Sequence, residues 1–151
     1  MRSPETTLVR LAAAWTAVGL AGGLGYRELT RAEGFTGTTQ LAVVHTHALV
    51  LGTVVLLGVL ALQRIFDLAS DRRYRWFVWV WNASLAFTVA GLTVKGILQV
   101  QGSTAADSPA IAGFSGLGHM GLTAAFVLFF LALGAKVKAR ETAPALHNVQ
   151  A

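Results

Sequence analysis

The chain has 151 residues, 54% of them hydrophobic and only 13% charged, with 12 Lys and Arg against 7 Asp and Glu. That length suits one unit, 1–151, better than two domains, and the low charged share excludes an ordinary soluble globule, where about 25% is usual. With no cysteine present, disulfides, thiolate metal sites and thiol catalysis are excluded as well.

The apolar residues come in four long blocks. No Asp, Glu, Lys or Arg occurs from Leu41 to Leu62 or from Ile111 to Ala135, and similar blocks run from Leu11 to Tyr26 and from Trp76 to Val94. Crossing a bilayer takes about 20 mostly apolar helical residues. The expectation is an all-α, integral membrane four-helix bundle, with spans at about 8–26, 39–63, 76–100 and 109–136.

The first block follows Arg2 and Arg10 but ends in "GLGYRE", a poor cleavage site, so it reads as a span and not as a signal peptide. Its Gly19 and Gly23 form a G-x-x-x-G pair that lets helices approach closely. The polar loop "RELTRAEGFTGTTQ" follows, with Thr38 as the expected cap of the second span. The loop "DLASDRRYRW" then leads to Trp76, Trp79 and Trp81, an expected interfacial aromatic belt. In "QGSTAADSPA", Ser108 and Pro109 suit a helix start. The tail 139–151 is expected to be frayed, with His147 a bystander.

Arg2, Arg10, Arg64, Arg72, Arg73, Arg75, Lys136, Lys138 and Arg140 flank one set of helix ends, and only Arg27, Arg31 and Lys95 the other. Excess Lys and Arg mark the cytoplasmic side. Both termini are therefore expected to be cytoplasmic, in a multi-pass protein of a bacterial cytoplasmic membrane. The basic residues then meet anionic lipid headgroups, and no basic patch is left for nucleic acid.

Within the spans, "LAVVHTHALVLG" places His45 and His47 in an aliphatic run, and His119 lies in the fourth block. Ionisable residues inside a membrane are costly and mark function. His47 lies nine residues after Thr38 and His119 eleven after Ser108, so at about 1.5 Å per residue their depths differ by about 3 Å. The two spans run in the same direction, so imidazoles from each can face one another. His45 and His47 are two residues apart, about 200° around a helix, and cannot both ligate one ion from the same span. Depth favours His47 as the partner of His119; the small Ala48 and Gly52 on its face favour His45.

Three readings compete: histidines as polar glue, a bare copper, zinc or proton path, and a heme with axial histidines between the second and fourth spans. The last is preferred. Ala112, Ser115 and Gly116 leave room beside His119, and Arg27, Arg31, Lys95 and Gln99 lie where propionates would emerge and gain charge-assisted hydrogen bonds. No hydrolase or transferase site is seen: Ser115 and His119 have no orienting carboxylate in the span, and the glycine clusters follow no strand.

The segments "GFTGTTQLAVVHTHALVLG", "KGILQVQGS" and "PAIAGFSGLGHMGLTAAF" resemble an uncharacterised bacterial family of small four-helix membrane proteins, over about Tyr26 to Leu133. More locally, "VVHTHALVLG" is similar to the helix that carries a heme-ligating histidine in cbb-type heme-copper oxidases and nitric oxide reductases, a match that lands on His45. The stretch "HALVLG" also resembles the HAL-x-x-G helix of NnrS heme- and copper-containing membrane proteins, and there the match lands on His47. The resemblance implies heme b and leaves both residues open as the ligand. An oxidase site needs further histidines and about a dozen helices, so one copy of this chain is not expected to reduce oxygen or nitric oxide. The expected function is electron transfer or diatomic gas binding by a homodimer, with a redox partner or quinone unidentified. The alternative is a heme-free copper, zinc or proton-handling protein.

Overall fold

A computed structural model describes residues 3–142. Four helices are long and apolar enough to cross a membrane: α1 (Pro4–Ala32), α2 (Gln40–Phe66), α3 (Arg72–Val100) and α4 (Pro109–Thr142). Among the described residues there is no strand. The fold is the expected all-helical bundle of four candidate membrane spans, and His147 lies outside the described residues. Each helix runs past the span read from its apolar block. At 29 residues, α1 is about 44 Å long, against about 30 Å of hydrocarbon, so its ends reach headgroup level.

Local chemistry sets the helix ends. Ser3 caps α1 through its hydroxyl, and Pro4 occupies the first turn, where no amide hydrogen is needed. Nothing from Arg27 to Ala32 breaks a helix, so Arg27 and Arg31 lie on α1 and not in the loop expected from the sequence; Gly34, at φ +59°, makes the turn. The second span is capped by Thr39 and not Thr38. Its hydroxyl accepts from Leu41 N at 3.2 Å and donates to Gly96 O at 2.8 Å, which ties the start of α2 to α3. Asp71 caps α3, accepting from Arg73 N at 2.8 Å and from the Arg73 guanidinium at 2.7 and 3.1 Å. The hydrogen bond from that guanidinium holds the Asp71 carboxyl below its ordinary range.

Helix α2 is not uniform. It opens with a 3-10 turn, Gln40–Val43, passes through one α turn, Val44–His47, and widens into a π segment, Ala48–Val54, before continuing as α-helix. A π segment spaces its carbonyls differently from the regular ladder, and here the indole of Trp81 donates to Leu51 O at 3.2 Å. Trp81 is fully buried, whereas Trp76 and Trp79 are 54% and 76% exposed. Of the three tryptophans expected in an interfacial belt, Trp76 and Trp79 are therefore the ones at the surface. Trp81 lies two residues past Trp79, about 200° around the helix, and so faces the core.

Helices adjacent in sequence pack on one another, and α3 is the hub. Of its most apolar stretch 44% is buried, against 17–22% for the other three helices. Between α3 and α4 the backbones meet closely along their length: a Cβ on Gly118 would overlap Thr88, one on Gly121 would overlap Ser84, and one on Gly91 would overlap Ser115. In lipid there is little hydrophobic drive between helices, so small residues that admit backbone contact hold the pair. Gly19 and Gly23 serve the same purpose between α1 and α2, against Leu49, Ala48 and His45. That glycine face is used within the chain. Large apolar side chains such as Val54, Leu117, Met120, Val127 and Phe130 point outward, as lipid-facing residues do.

Candidate functional site

The α2–α4 relation differs from the rest of the bundle. These helices approach one another through the Val55–Phe66 part of α2, at the end where the basic residues cluster. Toward the other end they diverge, and a cleft opens between them. Gly113 and Gly116 of α4 face it or the surrounding space, for a Cβ on either would meet nothing within 4 Å. On the α2 side, Thr46, His47, Val50 and Leu51 line a groove of about 260 Å³.

His47 and His119 meet across this cleft, with ring centroids 6.3 Å apart and ring planes at 80°. Both imidazoles are oriented by their own helices. Nδ1 of His47 lies 2.8 Å from Val43 O and Nδ1 of His119 lies 2.9 Å from Ser115 O. A carbonyl can only accept, so each Nδ1 carries the hydrogen, and each Nε2 keeps its lone pair for a further partner. A backbone carbonyl behind one ring nitrogen is the usual support of a histidine that ligates through the other.

His45 goes elsewhere. Its ring lies against α1, where a Cβ on Gly23 would be 3.7 Å from its Cγ, and its buried Nδ1 has no hydrogen-bond partner. Ala48 and Gly52, the small residues beside it, are filled by α1 through Gly19 and Trp15 and leave no cofactor space. Among the described residues, no group of three or more His, Cys, Asp or Glu side chains is placed to hold a metal ion.

The polar residues named from the sequence divide in the same way. Ser115 turns its hydroxyl to Gly91 in the α3–α4 seam, so Ala112 and Gly116, both exposed, are the small residues left beside His119. Gln99 accepts from Gln40 N at 2.7 Å; its carbonyl secures the start of α2, and only its amide NH2 is left to donate. Arg27 is exposed and pairs weakly with Glu28 at 3.8 Å. Lys95 is half-buried, with no ion-pair partner among the described residues. Gly91 lies level with Ser115, so Lys95 stands one turn nearer the membrane surface and His119 one turn deeper, about 12 Å of helix rise apart.

A family model described as "Protein of unknown function (DUF2871)" matches residues 6–136. The chain belongs to this family. The DUF2871 match takes in His45, His47, Lys95, Gln99 and His119, and all but the last turns of α4. No curated protein and no solved structure matches the chain.

Two features of the cleft had no signature in the sequence. The π segment follows His47 directly, yet Ala48–Val54 is as aliphatic as any α-helical stretch. The carbonyl behind each imidazole depends on the rotamer, which spacing does not encode.

Proposed function

We propose that this protein is a membrane b-type heme protein, with the heme held between α2 and α4 by His47 and His119. The observation that carries the reading is the facing pair with both Nε2 lone pairs available. Metal–imidazole bonds are about 2.0–2.1 Å and the ring centroid lies about 1 Å beyond the nitrogen, so imidazoles on opposite sides of one ion have centroids about 6 Å apart. At 6.3 Å between ring centroids, His47 and His119 are close enough that both would hold one metal ion between them. A zinc site, by contrast, needs three or four donors, and here two face one another.

The residues around the pair fit the group. Gly116, three residues before His119, borders open space, and a groove of about 260 Å³ lies beside His47. Lys95 stands at a height from which its ammonium would hold a propionate. The groove is open on one side, so a second copy or lipid would complete its wall. When bound, the heme supplies one-electron redox chemistry. The chain's part is to hold both imidazoles in one tautomer, to border the groove with Val50 and Leu51, and to offer a cation to the carboxylates. Two axial histidines favour electron transfer over diatomic gas binding, because gas needs a vacant position.

The test is a reduced-minus-oxidised visible spectrum of the detergent-purified protein, with pyridine hemochrome quantification. About one b-type heme per chain is expected, with sharp α and β bands unaffected by carbon monoxide. His47→Ala and His119→Ala are expected to remove it, and His45→Ala to retain it. A colourless protein after expression with ample heme would overturn the reading, and stoichiometric copper or zinc in that protein would establish the heme-free alternative.

A further inference from the structure

The π segment of α2 lies between the histidines and the rest of that helix, and it changes which way they point. An α-helix turns by about 100° per residue. His45 is eleven residues before Leu56, so an unbroken α-helix would set the two about 20° apart. It would set His47, nine residues before Leu56, about 180° away. Leu56 is fully buried, and Ile65, nine residues beyond it, is 55% exposed. An unbroken α2 would therefore direct His45 to the core and His47 to the lipid.

The observed helix does neither. Val44 and Leu56 are 2% and 0% exposed, although twelve residues of α-helix would part them by about 120°. Counting one residue fewer brings them within about 20° of each other. His47 and Phe66 give the same result on another face. Both meet α4, His47 at His119 and Phe66 at the Arg140 guanidinium, 5.6 Å from its ring centroid. Nineteen residues of α-helix would part them by about 100°, and one residue fewer brings them into line. The surplus residue is taken up in Ala48–Val54, where Val55 N donates to Val50 O, five residues back and not four.

Contacts from two helices hold the segment in this form. From α1, Trp15 packs on Gly52, where a Cβ would overlap it, and the Thr16 hydroxyl shares a hydrogen bond with that of Thr53 at 2.9 Å. From α3, the Trp81 indole donates to Leu51 O at 3.2 Å, and so engages the backbone of the segment itself.

We infer that the π segment is the element that aims His47 at His119, and that Trp81 is a positioning residue for this imidazole. One surplus residue between two packed halves of α2 turns the outer half by about 100°. That turn takes His47 from the lipid to α4, and His45 from the core line to α1. It rests on the pairing of His47 with His119 in the site proposed above, whatever group the pair holds.

Cross-linking tests this without heme, because the chain has no cysteine. The full chain carrying His47→Cys/His119→Cys is treated in detergent with a short bifunctional thiol reagent. Cross-linking is expected for this pair and not for His45→Cys/His119→Cys. Deleting Val54, which is 62% exposed, turns the Val55–Val50 bond into an ordinary α-helical one. The 47/119 pair should then still cross-link, with an unfolding midpoint no lower than the parent's. Inserting one alanine after Val54 adds a second surplus residue, and should reduce cross-linking to the level of the 45/119 pair. Trp81→Phe should lower 47/119 cross-linking severalfold in the full-length helix and leave it unchanged in the Val54 deletion, where no π segment needs holding. Loss of the pair or of the fold on deletion, cross-linking retained on insertion, or an equal effect of Trp81→Phe in both backgrounds would each overturn the inference. A protein that cross-links as expected but takes up no heme would overturn the heme reading and leave this one standing.

Discussion

Helix α4 has two faces at one depth, and they are built to opposite rules. The face toward α3 uses Gly118 and Gly121 to bring backbones together over Thr88 and Ser84. Adjacent to it, the face with Gly116 and His119 meets open space and a single imidazole from α2. Glycine serves both, for closure in one and clearance in the other. A run of small residues in a membrane helix therefore says little until its neighbour is known. Ser115, expected beside a cofactor, belongs to the closed face.

The sharpest way to break this contrast is to enlarge one glycine on each face. Gly118→Leu drives a side chain into the Thr88 backbone, and we expect a loss of about 3 kcal/mol or more, read from denaturant unfolding in detergent. Gly116→Leu should leave that midpoint within about 0.5 kcal/mol while lowering heme stoichiometry. Equal destabilisation by both would show that the open face is packed like the closed one.

A second test concerns what holds the π segment. Trp81→Phe leaves Leu51 O without its indole donor inside an apolar core, at a cost of about 1–3 kcal/mol. Faster amide exchange is expected in Ala48–Val54 than in α3, because the lost bond belongs to that segment. Uniform acceleration across the bundle would mean that Trp81 acts by volume alone.

The smallest expected effect lies at the basic end. Asp71→Ala removes the α3 cap and should cost about 1 kcal/mol. The carboxyl of Asp71 is held below its ordinary range in the folded chain, so its contribution is complete above the unfolded value and is lost as pH falls through the lowered folded one. The gap between wild type and Asp71→Ala in thermal midpoint should accordingly close in acid and be constant near neutrality.

Much of the bundle was legible because membrane spans answer to one-dimensional rules. Apolar length marks the four helices, Ser108 and Pro109 mark the start of α4, and counting residues from each cap brings His47 and His119 to one level. The same arithmetic misplaced Trp81, because a belt is read from position along the chain and burial from angle around the helix. The contact of the Gln99 carbonyl was not legible for a related reason: its partner, Gln40 N, is 59 residues away.

By itself the sequence determined that this chain has four apolar helices, where their basic and histidine-bearing ends lie, and how far along its helix each imidazole sits. All of these follow from composition and a constant rise per residue. Only the tertiary structure decided which histidine faces α4 and which faces α1. It also decided which glycines close a seam and which border a cleft, and where α2 takes up a residue beyond the α-helical count. These depend on helix rotation and side-chain rotamers, which are set when neighbouring helices pack and which no periodicity in the chain records.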